Sequence, residues 1–119
     1  MAENIIKDKS KMFALRIVKL YKYLCDEKKE FVMSKQLLRC GTSIGANISE
    51  AVYSMSKKEF IAKMNISLKE AAEVEYWLDL LHDSEYISKP EFDSIVYDCR
   101  EIISLLVSII KTANENLRK

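Results

Sequence analysis

The chain runs 119 residues with a single proline, Pro90, and only two glycines, Gly41 and Gly45. Both glycines fall inside one short stretch, "RCGTSIGANISEA". Long segments without punctuation, carrying apolar residues every three or four positions, can bury a face only as helices. Four such segments follow one another. The first, about Ile5 to Asp26, repeats Ile6, Phe13, Ile17, Leu20 and Leu24 along one face and sets Lys7, Lys11, Lys19 and Lys22 on the other. The second enters at Lys35 with Ser34 as its expected cap and carries Leu37, Cys40, Ile44, Ile48 and Ala51. The third opens on a capping box of Ser56 and Glu59 and continues through Phe60, Met64, Leu68, Ala71, Leu78 and Leu81. The fourth opens on Ser88 and Glu91, with Pro90 in its first turn, and carries Ile95, Cys99, Ile102, Leu106 and Ile110, with Ile103 and Val107 widening the stripe. Helices of about 20 to 28 residues with short connections predict an all-α fold, an antiparallel up-down four-helix bundle. By length it is a single domain over residues 1–119.

The glycine stretch does not fit a phosphate loop. Such a loop needs a strand before it and a Gly-Lys-Ser/Thr end, so that backbone amides and the lysine converge on phosphate. Here the glycines are four apart, no lysine follows, and no strand precedes. As a helix, the same residues make sense: Gly41, Gly45 and Ser49 form a thin ridge beside the apolar stripe. Two interior glycines cost roughly 2 kcal/mol relative to alanine, a cost that a closely packed neighbouring backbone offsets. A second stripe, Arg39, Ser43, Asn47 and Glu50, is polar. Its plainest meaning is a solvated face; the sharper alternative is a hydrogen-bonded contact surface, because an exposed face has no need of Ser and Asn, which are mediocre helix formers. In the third helix Glu75 takes a place in the row Met64, Leu68, Ala71, Leu78 where an apolar residue would be expected. A carboxylate at a core edge should be paired, and Arg39 is its expected partner. Glu59–Lys63 and Lys69–Glu73 have the spacing of ordinary i,i+4 pairs.

Catalytic chemistry has little to stand on. His82 is the only histidine, placed at the end of the third helix where the helix dipole favours a cation. Bundle metal sites use Glu-x-x-His, but the residue three before His82 is Asp79. Cys25, Cys40 and Cys99 show no metal-ligand or disulfide spacing and read as reduced thiols. No cofactor, no metal and no enzymatic activity are expected. No apolar run reaches the roughly 18 residues of a membrane span, and the first residues carry charges where a secretion signal is apolar; a cytoplasmic protein is expected. The net charge of +1 conceals an uneven distribution. Residues 1–40 hold ten Lys and Arg against five Asp and Glu, and the remainder nine against thirteen. Charge counts alone favour evenly solvated helix faces; the same asymmetry can also mark a basic face for nucleic acid, or complementary surfaces that meet in an oligomer.

"LLRCGTSIGANISEA" followed by "KKEFIAKMNISLKEAAEVEYWLDLL" resembles the small four-helix bundle proteins encoded in intervening sequences of bacterial large-subunit ribosomal RNA genes. The similarity runs from about Phe13 to Val107. Among the relatives of these proteins is the accessory variability determinant of diversity-generating retroelements. The resemblance implies a homopentamer of bundles, no enzymatic activity, and RNA or DNA as partner. Its motif positions here are Arg39, Gly41, Thr42, Ser43, Gly45, Asn47 and Glu50 in the second helix and Glu59, Phe60, Lys69, Glu70, Glu75 and Trp77 in the third. One departure is that the nucleic-acid-binding relative is strongly basic, whereas this chain is nearly neutral. Lys7, Lys11, Lys19 and Lys22 are the candidate phosphate contacts; Tyr21, Tyr23 and Tyr53 beside the core stripe more often seal its edge with the hydroxyl in water, and one of them could instead stack on a base. The alternative is an adaptor that docks a protein partner through Arg39, Ser43, Asn47 and Glu50.

Overall fold

The computed structural model describes residues 2–119. Four helices account for nearly all of them: α1 (Ala2–Asp26), α2 (Met33–Val52), α3 (Lys57–Asp83) and α4 (Lys89–Arg118), with no strand among the described residues. Each helix packs on its chain neighbours, α1 also packs on α4, and the diagonal pairs stay apart. Every seam is antiparallel. Ile17 meets Gly41 while Ser10 meets Gly45, and Arg39 reaches Glu70 while Glu50 reaches Lys63. Lys9 reaches Glu101 while Arg16 reaches Asp98. The result is an up-down bundle 51 Å long and about 20 Å across, with extents of 51 × 21 × 20 Å.

The core is a continuous column built from the four stripes. The main stripes expected for α1, α2 and α4 are all buried, but of the two residues expected to widen the α4 stripe Ile103 is half-buried and Val107 exposed. The α3 row differs. Its buried residues are Ile61, Met64, Ser67, Ala71, Val74, Leu78 and Leu81, so the stripe passes through Ser67 and Val74 rather than through Leu68 and Glu75. Phe60 and Leu68 are half-buried at its edge. Ser67 tolerates full burial because its hydroxyl donates to the Ile44 carbonyl across the α2–α3 seam.

The helix ends show which local signals act. Ser56 Oγ accepts from Glu59 N at 3.1 Å, but the Glu59 carboxylate returns to Met55 N at 3.3 Å rather than to Ser56. Ser88 Oγ accepts from Glu91 N at 3.4 Å, with Pro90 in the first turn of α4. The expected Ser34 cap of α2 is not formed. Instead the buried Glu30 carboxylate gathers the first amides, accepting from Val32 (3.0 Å), Met33 (3.1 Å) and Ser34 (2.7 Å). Ser34 lies inside the first turn and donates its hydroxyl back to the Glu30 carbonyl at 2.7 Å. A carboxylate satisfies three donors that a single hydroxyl could not. α3 closes on a Schellman turn: Tyr86 N donates to Leu81 O at 2.8 Å and Glu85 N to His82 O at 3.0 Å. Glu85 takes the left-handed position, φ 69°, that glycine usually fills.

Candidate nucleic-acid interface

The glycine ridge is turned toward α1. A Cβ on Gly41 would lie 2.8 Å and 2.9 Å from the two γ carbons of Ile17, and one on Gly45 would lie 3.5 Å from the Ser10 carbonyl oxygen. Neither glycine has a positive φ. Their role is close approach: α1 presses Ile17 into the space a side chain would take. Thr42 Oγ1 donates to the Leu38 carbonyl at 2.7 Å within the same helix.

The polar stripe of α2 lies on the α2–α3 seam and finds its partners inside the bundle. Arg39 pairs with Glu70 at 3.2 Å and with Glu73, and Trp77 Nε1 donates to the same Glu73 carboxylate at 2.9 Å. Glu50 takes Lys63 at 2.7 Å. Ser43 and Asn47 bond back to the Arg39 and Ser43 carbonyls at 2.8 and 2.9 Å. The expected Arg39–Glu75 pair does not form. With Val74 in the core, Glu75 lies on the α4 side of α3 and pairs with Arg100 at 3.2 Å, while Glu70 and Glu73 lie on the α2 side. The i,i+4 pairs are displaced for the same reason: Lys63 turns to Glu50 and Glu73 to Arg39, leaving Glu59 to its cap and Lys69 exposed. The indole of Trp77 and then Arg39 hold the Glu73 carboxyl below its ordinary range. Arg39 is half-exposed, so its pairs fix register more than they add stability. Glu73 was the participant that motif reading missed; its spacing of three and four residues from Glu70 and Trp77 is the sequence signal for it.

The charge asymmetry of the chain also resolves in three dimensions. Lys9 and Arg16, from the basic first portion, bridge to Glu101 at 2.9 Å and Asp98 at 2.7 Å on α4. Lys7, Lys11 and Lys22 are exposed on the outer face of α1 and Lys19 is exposed beside Arg16, and none takes part in an ion pair among the described residues. Antiparallel folding then converts a difference along the sequence into one along the bundle axis. The end built from residues 2–11, 45–53, 57–66 and 109–119 carries nine Lys and Arg against five Asp and Glu, a net of +4. The opposite end, residues 20–40 and 76–98, carries six against nine, a net of −3.

His82 sits in the last turn of α3 as expected, its ring stacked on Phe92 with centroids 4.5 Å apart. No group of three or more His, Cys, Asp or Glu converges as a metal site would require, among the described residues. Cys40 and Cys99 are buried free thiols, each pushed up to about 12 chiefly by burial; Cys25 is half-buried. Among the described residues no helix is long and apolar enough to cross a membrane.

Fold and motif together define a class: an antiparallel four-helix bundle in which a thin α2 seats α1 and an Arg–Glu–Trp cluster ties α2 to α3. The chain belongs to the 23S rRNA-intervening sequence protein family, whose model matches residues 2–108. It is also similar to a protein of unknown function from the S23 ribosomal protein family of Bacteroides thetaiotaomicron VPI-5482, known from a crystal structure at 1.70 Å. The two are 60% identical with a TM-score of 0.92, over 93% of this chain and 99% of that one. No curated protein matches the chain.

Proposed function

We propose that the chain is a non-catalytic, self-associating scaffold that binds RNA or DNA through phosphate contacts, with five subunits as the number its family resemblance implies. The observation that carries this reading is the α1 lysine face. Among the described residues Lys7, Lys11, Lys19 and Lys22 have no carboxylate partner, whereas Lys9 and Arg16 on the same helix do. Unpaired lysines along one face are what a phosphate backbone neutralises, with release of counterions. Self-association is supported by the α1–α4 side, the sparsest of the four seams. Met12 (66% exposed) and Leu15 border one groove on that side, and Tyr97 and Leu105 border another. Exposed apolar side chains of this kind, flanking the Lys9–Glu101 and Arg16–Asp98 pairs, suit burial by a second copy.

The test is solution mass by light scattering, with and without a short structured RNA, at low and moderate salt. The expected result is about 69 kDa, five times the 13.8 kDa of one chain, and RNA binding that weakens steeply with salt. Charge reversal at Lys11 and Lys19 should abolish that binding. A monomer indifferent to RNA would overturn the proposal. A complex with a protein that ignores salt would instead favour the adaptor, although Arg39, Ser43, Asn47 and Glu50 already have partners within the bundle.

A further inference from the structure

The corner between α2 and α3, at the basic end of the bundle, carries an aromatic ring that the fold does not use. Tyr53 follows the last turn of α2 and is 76% exposed. The two other tyrosines singled out from the sequence are placed differently: Tyr21 is half-buried beside Cys25, and Tyr23 lies along the α1 surface. A tyrosine that seals a core edge keeps its ring against apolar neighbours and only its hydroxyl in water. Tyr53 does not. The Lys7 ammonium lies 6.0 Å from its ring centroid, a cation held over an aromatic face. Lys57 and Lys58 are exposed in the first turn of α3, a few residues on, and Met55 between them and Tyr53 is 92% exposed. Next to this corner runs a groove of about 420 Å³ lined by Met55, Lys57 and the half-buried Phe60, with Glu3 on its other wall.

We propose that this corner binds single-stranded nucleic acid, with an unpaired base stacked on Tyr53 and its flanking phosphates on Lys7, Lys57 and Lys58. The proposal rests on the nucleic-acid reading above and deepens it. An exposed ring beside lysines provides a face for a base and charges for a backbone, the pairing that single strands require. A duplex hides its base faces in the stack and offers this ring nothing except at its ends. An acidic peptide would satisfy the lysines and leave the ring without a role.

The test is fluorescence anisotropy with three labelled probes: a short oligothymidylate, a blunt hairpin of equal phosphate count, and polyglutamate. The single strand should bind most tightly. Tyr53→Ala should weaken it on the order of tenfold and Tyr53→Phe should leave it nearly intact, because stacking needs the ring and not the hydroxyl. Lys57→Gln with Lys58→Gln should lower the affinity and flatten its salt dependence. Thermal melts should show all these variants folded, since Tyr53 lies outside the core. Equal binding by Tyr53→Ala and the unaltered chain, or preference for the hairpin or the polyglutamate, overturns the proposal. If Tyr53→Ala is silent while Lys19→Gln with Lys22→Gln loses structured RNA, this site is wrong and the α1 reading stands. If neither nucleic acid binds the unaltered chain, both fall.

Discussion

Replacing each glycine of α2 by alanine should give different results, and the difference measures the α1–α2 contact directly. Both substitutions gain the same helix propensity, about 1 kcal/mol, so that contribution cancels between them. At Gly45 the new methyl carbon would meet Ser10 Oγ at 3.4 Å and the Ser10 carbonyl oxygen at 3.5 Å, ordinary van der Waals contact. Gly45→Ala should therefore stabilise the protein by about 0.5–1 kcal/mol. At Gly41 the methyl would lie 2.8 and 2.9 Å from the Ile17 γ carbons and 3.2 Å from its Cβ. Ile17 is fully buried and β-branched, with one strongly preferred rotamer in a helix, so it cannot swing aside. Overpacking of this kind costs about 1–3 kcal/mol, leaving Gly41→Ala neutral to about 2 kcal/mol destabilised. Urea unfolding of the two variants should separate them by about 1–3 kcal/mol, with Gly41→Ala the weaker. A double-mutant cycle with Ile17→Ala, which removes both clashing carbons, should show favourable coupling between the two sites. If Gly41→Ala is as stable as Gly45→Ala, the close approach of α1 to α2 is not what selects glycine at position 41. Gly45→Leu, by contrast, reaches past the contact distance into the Ser10 backbone and should destabilise.

Two further measurements probe the helix end and the thiols. Burial opposes the charge on Glu30, but the amides of Ser34, Met33 and Val32 outweigh it and hold the carboxyl below its ordinary range. Its folded value lies below its unfolded one, so its contribution to stability is full above about pH 4.5 and is lost as pH falls through the folded value. Glu30→Gln should remove that part of the acid sensitivity and cost about 0.5–2 kcal/mol at neutral pH, read from unfolding curves across pH. Native thiol titration at mildly alkaline pH should modify Cys25 first, with Cys40 and Cys99, buried and pushed up to about 12, reacting only on unfolding. Rapid reaction of all three in the native state would show a looser core than this one.

How far the sequence reaches is best seen in α3. Stripes in α1, α2 and α4 were legible because their steps of three and four lead to apolar residues at nearly every turn, Ser10 in α1 and Ser34 in α2 being the hydroxyl interruptions. In α3 two paths satisfy the same spacing after Met64. One runs through Leu68 and Glu75; the other, which the fold uses, runs through Ser67, Ala71 and Val74. Preferring Val74 over its neighbour Glu75 would have chosen correctly, and with it the separation of Glu75 from Arg39. Ser67, Ser10 and Ser34 stay hidden from any apolar pattern, since small hydroxyls are buried here only because a carbonyl takes each proton. Glu30 is the extreme case: a carboxylate in "EKKEFVMS" gives no sign that three backbone amides surround it. The Arg39 cluster was half legible, its arginine marked by the motif and its main acceptor, Glu73, found only once the helix phase was known.

Near-neutral charge is the strongest objection to nucleic-acid binding, and the fold changes its force. What a phosphate backbone meets is local charge, and the basic end carries +4 while the chain as a whole carries +1. In a closed ring of five upright bundles, symmetry brings every basic end to one rim and every acidic end to the other. Five copies of +4 would place +20 on one rim, so such an assembly would present a charge that no subunit has alone. Binding would then depend on assembly as much as on any lysine. A variant that blocks self-association without touching a basic residue, Met12→Glu with Leu15→Glu, should remain folded, since both side chains are exposed. It should lose affinity for RNA by about 10²-fold or more through lost multivalency, with a shallower dependence on salt. Light scattering identifies the monomer, and titration at several salt concentrations reads the slope. The two added carboxylates impose some repulsion of their own, so Met12→Gln with Leu15→Gln serves as the neutral counterpart and should behave alike. If the monomeric variants bind RNA as tightly and with the same salt slope as the assembled protein, the rim is irrelevant and the contact belongs to a single subunit.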